Sequence, residues 1–179
     1  MTVNKYVADY RLIEEFDANG HVKTTTEYIG DYYYYLAEPE SRRKAAYAVL
    51  AAAVAECVFW IAALVPYSAV MQRMYVSLPF VFAAVSLFLL LGVIWKIVRL
   101  KEPLEHRHAD KIQNRYPATC AIGGLLEAMA LIAAIITILL GVEPQTGDFI
   151  FLGCAVGTVC MSLYIFAQKE SFVLKGKKQ

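Results

Sequence analysis

From Tyr75 to Trp95 the chain runs without a single charged residue. As a helix, that stretch would extend for roughly 30 Å, the thickness of the hydrocarbon layer of a bilayer. It would also lack the polar face with which a helix of a soluble protein meets water. Three further apolar stretches, residues 45–65, 117–142 and 149–167, hold only two charged residues between them, Glu56 and Glu127. Composition agrees: 59% of the 179 residues are hydrophobic and 18% charged, against about 45–50% and about 25% in ordinary soluble domains. The expected fold is an all-α membrane protein, a four-transmembrane-helix bundle integral to a membrane, with a bacterial plasma membrane as the expected setting.

The distribution of basic residues orients the spans. Arg42, Arg43 and Lys44 precede the first; Lys96, Arg99, Lys101, Arg107, Lys111 and Arg115 fill the connection at 96–116; Lys169, Lys175, Lys177 and Lys178 follow the last in the tail 168–179. The two remaining connections hold Arg73 and no other Lys or Arg. By the positive-inside rule both termini and the central loop are expected in the cytoplasm. The first 43 residues are polar and rich in Tyr and Glu, unlike a secretory signal, so no cleaved leader is expected. A formal net charge of +1 supplies no basic field to attract nucleic acid.

Shifting the sequence by 71 positions lays Lys44 on Arg115, Glu56 on Glu127, and Ile61-Ala62-Ala63 on Ile132-Ala133-Ala134. The chain thus reads as two tandem helical hairpins of one orientation, with any pseudo-twofold axis along the membrane normal. Glu56 and Glu127 each fall twelve residues beyond the basic residue that marks the inner boundary, ~18 Å along a helix and near the bilayer centre. An ionised carboxylate facing lipid there would cost at least ~2.5–3.5 kcal/mol. Each must therefore turn toward the bundle interior, another subunit or water. Two carboxyls brought together in low dielectric cannot both ionise cheaply, so they would share a proton or hold a cation between them. Ser86 and Thr158, counted back from the inner ends of their own helices, fall in nearly the same layer and could complete an ion- or proton-binding site. The alternative is structural: protonated carboxyls that join helices by hydrogen bonds.

In size, in its four spans and in having a glutamate midway along the first of them, the chain is similar in architecture to the small multidrug-resistance transporters. Its second glutamate in span three and its polar N-terminal segment depart from that pattern, and no residue role is carried over. Gly153 and Gly157 form a G-x-x-x-G in the fourth span, a spacing that lets helices pack closely within the bundle or between copies of the chain. Four helices enclose little volume, so a solute pathway would call for a homo-oligomer.

Residues 1–43 read as a cytoplasmic β segment. R-L-I-E-E-F, H-V-K-T-T-T-E-Y-I and Y-Y-Y-Y-L, with turn chemistry at Asp17–Gly20 and Gly30-Asp31, predict a three-stranded antiparallel meander. So short a segment seldom makes its own core, so it should lean on the membrane surface, the central loop or a protein partner. The central loop, Leu104 to Arg115, reads as a short solvated helix. Its His106-x-His108 pair could bind a metal, but Arg107 and Lys111 oppose a cation, and no metal site is expected. Cys57, Cys120, Cys154 and Cys160 form no C-x-x-C pair, and no catalytic motif or cofactor-binding loop occurs. The expected function is an oligomeric cation- or proton-coupled transporter or channel. The alternative is a non-transporting accessory or anchor protein whose residues 1–43 bind a cytoplasmic partner. An enzyme is not expected.

Overall fold

The computed structural model describes residues 6–16 and 22–177, so the turn expected at Asp17–Gly20 lies outside the described residues. A 3₁₀ turn at Val7–Asp9 leads into strand β1 (Tyr10–Phe16), β2 (Val22–Tyr28) and β3 (Tyr32–Tyr35), followed by helices α1 (Pro39–Leu64) and α2 (Met74–Arg99). The chain continues through β4 (Leu104–Glu105), a short helix α3 (His106–Asp110), a π-helical stretch Lys111–Arg115, α4 (Tyr116–Leu139), α5 (Thr146–Ala167), a 3₁₀ segment Gln168–Phe172 and β5 (Leu174–Lys177). Pro39 and Pro117 stand in the first turns of α1 and α4, where a missing N–H is harmless. Beyond α4 the chain reverses at Gly141, at φ 96°, a left-handed backbone that glycine adopts without strain.

Helices α1, α2, α4 and α5 are each long and apolar enough to cross a membrane. They pack in a ring: α1 on α2, α2 on α4, α4 on α5 and α5 on α1, which leaves α1 and α4 diagonal to each other. Their outer surfaces carry exposed large apolar side chains, among them Val58, Phe82, Phe88, Leu125, Ile132 and Leu139. Buried between the helices are Glu56, Glu127, Ser86, Thr158 and Ser162. So apolar an outer surface, around a core that also buries acids and hydroxyls, is unlike a water-soluble bundle.

Two apolar clusters fill the bundle. At the end that carries the termini, Val49, Ile94, Ile112, Tyr116, Ile165 and Phe172 pack together; at the far end, Ala63, Val76, Phe80, Ala130, Ala134 and Phe151 do so. The Tyr116 hydroxyl donates to the Ile165 carbonyl at 2.6 Å, joining α4 to α5. That carbonyl also accepts the Gln168 N–H, so Tyr116→Phe leaves no orphan acceptor. It is expected to lower the unfolding free energy in detergent by about 1 kcal/mol, measurable by thermal or denaturant titration.

The strands do not form a single meander. β1 and β2 make an antiparallel hairpin, with Tyr10 opposite Tyr28, while β3 lies at the centre of a separate sheet in the order β4-β3-β5. Burial explains the change of partner. Tyr35, Leu104 and Leu174 from the three strands all join the apolar cluster at the terminal end of the bundle, whereas pairing β3 with β2 would bury neither Leu104 nor Leu174. The sheet therefore brings the N-terminal segment, the central loop and the C-terminal tail to one end of the molecule. Nor is the central loop a helix solvated all round, because Ala109 and Ile112 are both 1% exposed and held in that cluster.

Candidate functional site

Between the two apolar clusters lies a polar layer built on three helices. On α1, Glu56 shares the buried face of Val49, Ala52, Ala53 and Ala63; on α4, Glu127 shares that of Cys120, Gly123, Ala130 and Ala134. These offsets of three, four and seven are one stripe of a helix. Its small residues let neighbouring backbones come close: a Cβ placed on Gly124 would lie 3.3 Å from Ser162 Cβ.

Ser162 on α5 joins the two carboxyls. Its Oγ lies 3.2 Å from Glu56 Oε1 and 3.0 Å from Glu127 Oε2, and the two glutamates are 2% and 1% exposed. A serine hydroxyl carries one proton and two lone pairs. It can donate to one carboxylate, and the second contact is then favourable only if the other carboxyl is protonated and donates to Oγ. One buried hydroxyl between two acids thus calls for at least one added proton, or a cation, to be fully satisfied. Glu56 Oε2 is buried with no hydrogen-bond partner, which leaves an acceptor site open beside the bridge. No Lys or Arg lies between Ala45 and Tyr67 or between Tyr116 and Gln168, so the stretches that hold the acids supply no fixed counter-charge.

The two other predicted hydroxyls reach this layer but do not make the bridge. Thr158 is fully buried and its hydroxyl donates at 2.9 Å to the Ala155 carbonyl of its own helix. Ser86 approaches α4 from α2, its Cβ 3.2 Å from where a Cβ on Gly123 would be. Counted back from Lys169, the first basic residue after the span, Ser162 lies only ~10 Å deep. The helical path continues to Phe172, 2% exposed and packed edge-on to Tyr116, while Lys169 folds back over the Phe166 ring. Counted from Phe172, Ser162 is ~15 Å deep. The signal was present: Ala155, Thr158 and Ser162 continue one α5 face at offsets of three and seven.

Gly153 and Gly157 divide their roles. A Cβ on Gly157 would meet the Phe59 ring of α1 at 3.0 Å, whereas one on Gly153 would meet nothing within 4 Å. A third buried acid, Asp148, was not foreseen. Fully buried at the start of α5, it accepts the Ser68 hydroxyl at 2.6 Å and the Val70 N–H at 3.0 Å on Oδ1, and the Gln145 N–H at 2.8 Å on Oδ2.

At the opposite end the hairpin docks on the central loop through tyrosines and a histidine. Tyr10 donates to Glu105 Oε2 at 2.6 Å, and that bond pushes its phenol up to about 12. Tyr28 accepts the His106 N–H at 2.9 Å and donates to the Asp31 carbonyl at 2.8 Å. His106 Nδ1 lies 3.1 Å from Asp9 Oδ2, its ring stacked on Tyr33. His106 is thereby occupied in docking, and among the described residues no group of three His, Cys, Asp or Glu side chains is placed to hold a metal ion.

These features define a class: a chain of four membrane-length apolar helices packed around buried acids, capped at one end by small antiparallel sheets. Compared with models of known protein families, with curated proteins and with solved structures, the chain matches none.

Proposed function

We propose that this is an integral membrane protein with its termini in the cytoplasm, in which Glu56, Ser162 and Glu127 hold an exchangeable proton or small cation at the middle of the bundle. Working as a homo-oligomer, it would couple that ion to the movement of a solute or of the ion itself. The observation that carries this reading is the convergence of two buried carboxyls on one hydroxyl, with Glu56 Oε2 unpartnered. Ionisable groups placed inside a membrane domain are costly and commonly mark ion pathways. Two tandem hairpins of one orientation, with α1 and α4 diagonal, give the carboxyls their meeting point on the bundle axis. Gly153, open on the outer surface of α5, offers a close-packing position for a second copy. The test is proton- or cation-driven flux in vesicles containing the purified protein and its Glu56→Gln, Glu127→Gln variant; unchanged flux in the variant overturns the reading.

A second reading is favoured by the near-complete burial of the pair, 2% and 1% exposed: the acids join helices, and the protein serves as an accessory or anchor whose N-terminal hairpin recruits a cytoplasmic partner. Flux through the wild type separates the two, and Ser162→Ala checks the bridge. It removes the bridging hydroxyl but leaves both carboxyls, so stability should fall by about 1–3 kcal/mol under either reading. Under the transport reading the wild type carries flux and this variant carries less. Under the accessory reading neither carries flux, and deletion of residues 1–38 releases a co-purifying protein.

A further inference from the structure

The terminal end of the bundle holds a groove that the carboxyl pair does not use. It lies between the first turns of α1 and the last turns of α2 and encloses about 480 Å³. Ile97 and Val98 form its apolar wall, Tyr47 stands at its side, and Arg42, Arg43, Lys101 and Glu102 surround its mouth. The charges at the mouth are not balanced. Glu102 is bonded to Arg42, whose guanidinium also covers the Tyr35 ring at 4.4 Å. Among the described residues neither Arg43 nor Lys101 has a carboxylate within ion-pair distance. Arg43 instead extends over the Tyr47 ring, 5.7 Å from its centre.

We propose that this groove binds one anionic phospholipid, with its phosphate held by Arg43 and Lys101 and the start of an acyl chain against Ile97 and Val98. The shape and charge select that occupant over others. A free phosphate would meet the cations and leave the apolar wall bare. A zwitterionic lipid would bring its own ammonium to the two cations, whereas a headgroup of net negative charge supplies the missing counter-charge. The position also fits. Trp95, with Arg99 stacked 5.0 Å from its ring, lies on the same last turns of α2, and such aromatic and cationic pairs belong to the headgroup level of a bilayer. By the positive-inside rule this end faces the leaflet where anionic lipids concentrate. The site does not depend on the carboxyl pair and would serve a transporter and an anchor alike.

Native mass spectrometry of the full chain, released from micelles holding equal amounts of phosphatidylglycerol and phosphatidylcholine, tests the assignment. The wild type should retain one phosphatidylglycerol in preference to phosphatidylcholine. Arg43→Gln with Lys101→Gln should lower that preference about tenfold, since each cation at the headgroup level contributes. Lys175→Gln, a cation outside the groove, should leave it unchanged. Val98→Phe keeps both cations but fills the wall; it should also reduce retention, and it gives the answer should the double variant fail to fold. Inorganic phosphate at millimolar concentration should not displace the lipid. Undiminished retention in the double variant overturns the proposal, as does displacement by phosphate or an equal loss in Lys175→Gln.

Discussion

Vesicles containing the Glu56→Gln, Glu127→Gln double variant should show ion-driven flux no greater than protein-free vesicles, while the variant itself remains folded. The two outcomes separate because glutamine matches glutamate in shape and keeps a donor. Its amide N–H can meet Ser162 Oγ where a carboxylic acid O–H would, so the bridge at 3.2 and 3.0 Å survives in a neutral form. What disappears is the capacity to take up and release a proton or to neutralise a cation. Removing an unpaired buried charge is generally neutral or favourable to folding, so thermal stability in detergent should hold or rise. Each single variant leaves one carboxyl beside Ser162, and its flux should be reduced and should depend on pH differently from the wild type. A folded double variant that carries full flux removes the carboxyl pair from the mechanism.

The parts of this arrangement that were legible in the sequence are those set by one helix at a time. The charge-free run from Tyr75 to Trp95 forces a membrane-length helix whatever surrounds it, and α2 covers Met74–Arg99. The equal depth of Glu56 and Glu127 follows from counting residues along two helices that run in the same direction. Features set by contact between distant segments were harder to read. Nothing in Tyr32–Tyr35 announces that its neighbours are Leu104–Glu105 and Leu174–Lys177, because strand partners are chosen by what the finished sheet can bury, and here that is the end of the bundle. Ser162 lies one turn from Thr158 on α5, and its depth is hard to read from the sequence because the helical path runs past the first lysine to Phe172, which packs on Tyr116. Asp148 was hidden for the same reason: two of its three donors come from a loop about 80 residues earlier.

Asp148→Ala should be among the most destabilising single substitutions in the chain, lowering unfolding free energy by about 3–5 kcal/mol. The carboxylate ties the loop after α1 to the start of α5. Ser68 and Val70 donate to one oxygen and Gln145 to the other, and Ser68 Oγ in turn accepts the Met71 N–H at 3.0 Å. Alanine leaves two backbone N–H groups and a hydroxyl without their acceptor at a position that is fully buried, and each orphaned donor costs about 1–3 kcal/mol. Asn is expected to cost less, because its carbonyl oxygen can still serve Ser68 and Val70 while its amide confronts the Gln145 N–H as donor against donor. Gly147→Ala attacks the same junction by another route: the added Cβ would overlap the Tyr67 carbonyl oxygen, and a backbone atom cannot swing aside as a flexible side chain would. Equilibrium unfolding in detergent should therefore rank Asp148→Ala and Gly147→Ala well below Asp148→Asn, with the wild type highest; an Asp148→Ala protein within about 0.5 kcal/mol of wild type would mean the two segments hold together without this contact. The comparison also distinguishes the kinds of acid buried in the bundle. Asp148 has three donors for its two oxygens and is complete as a structural tie, whereas Glu56 and Glu127 converge on one hydroxyl and Glu56 Oε2 has no partner, and on the proposed function that deficit makes the pair the place for a mobile proton or cation.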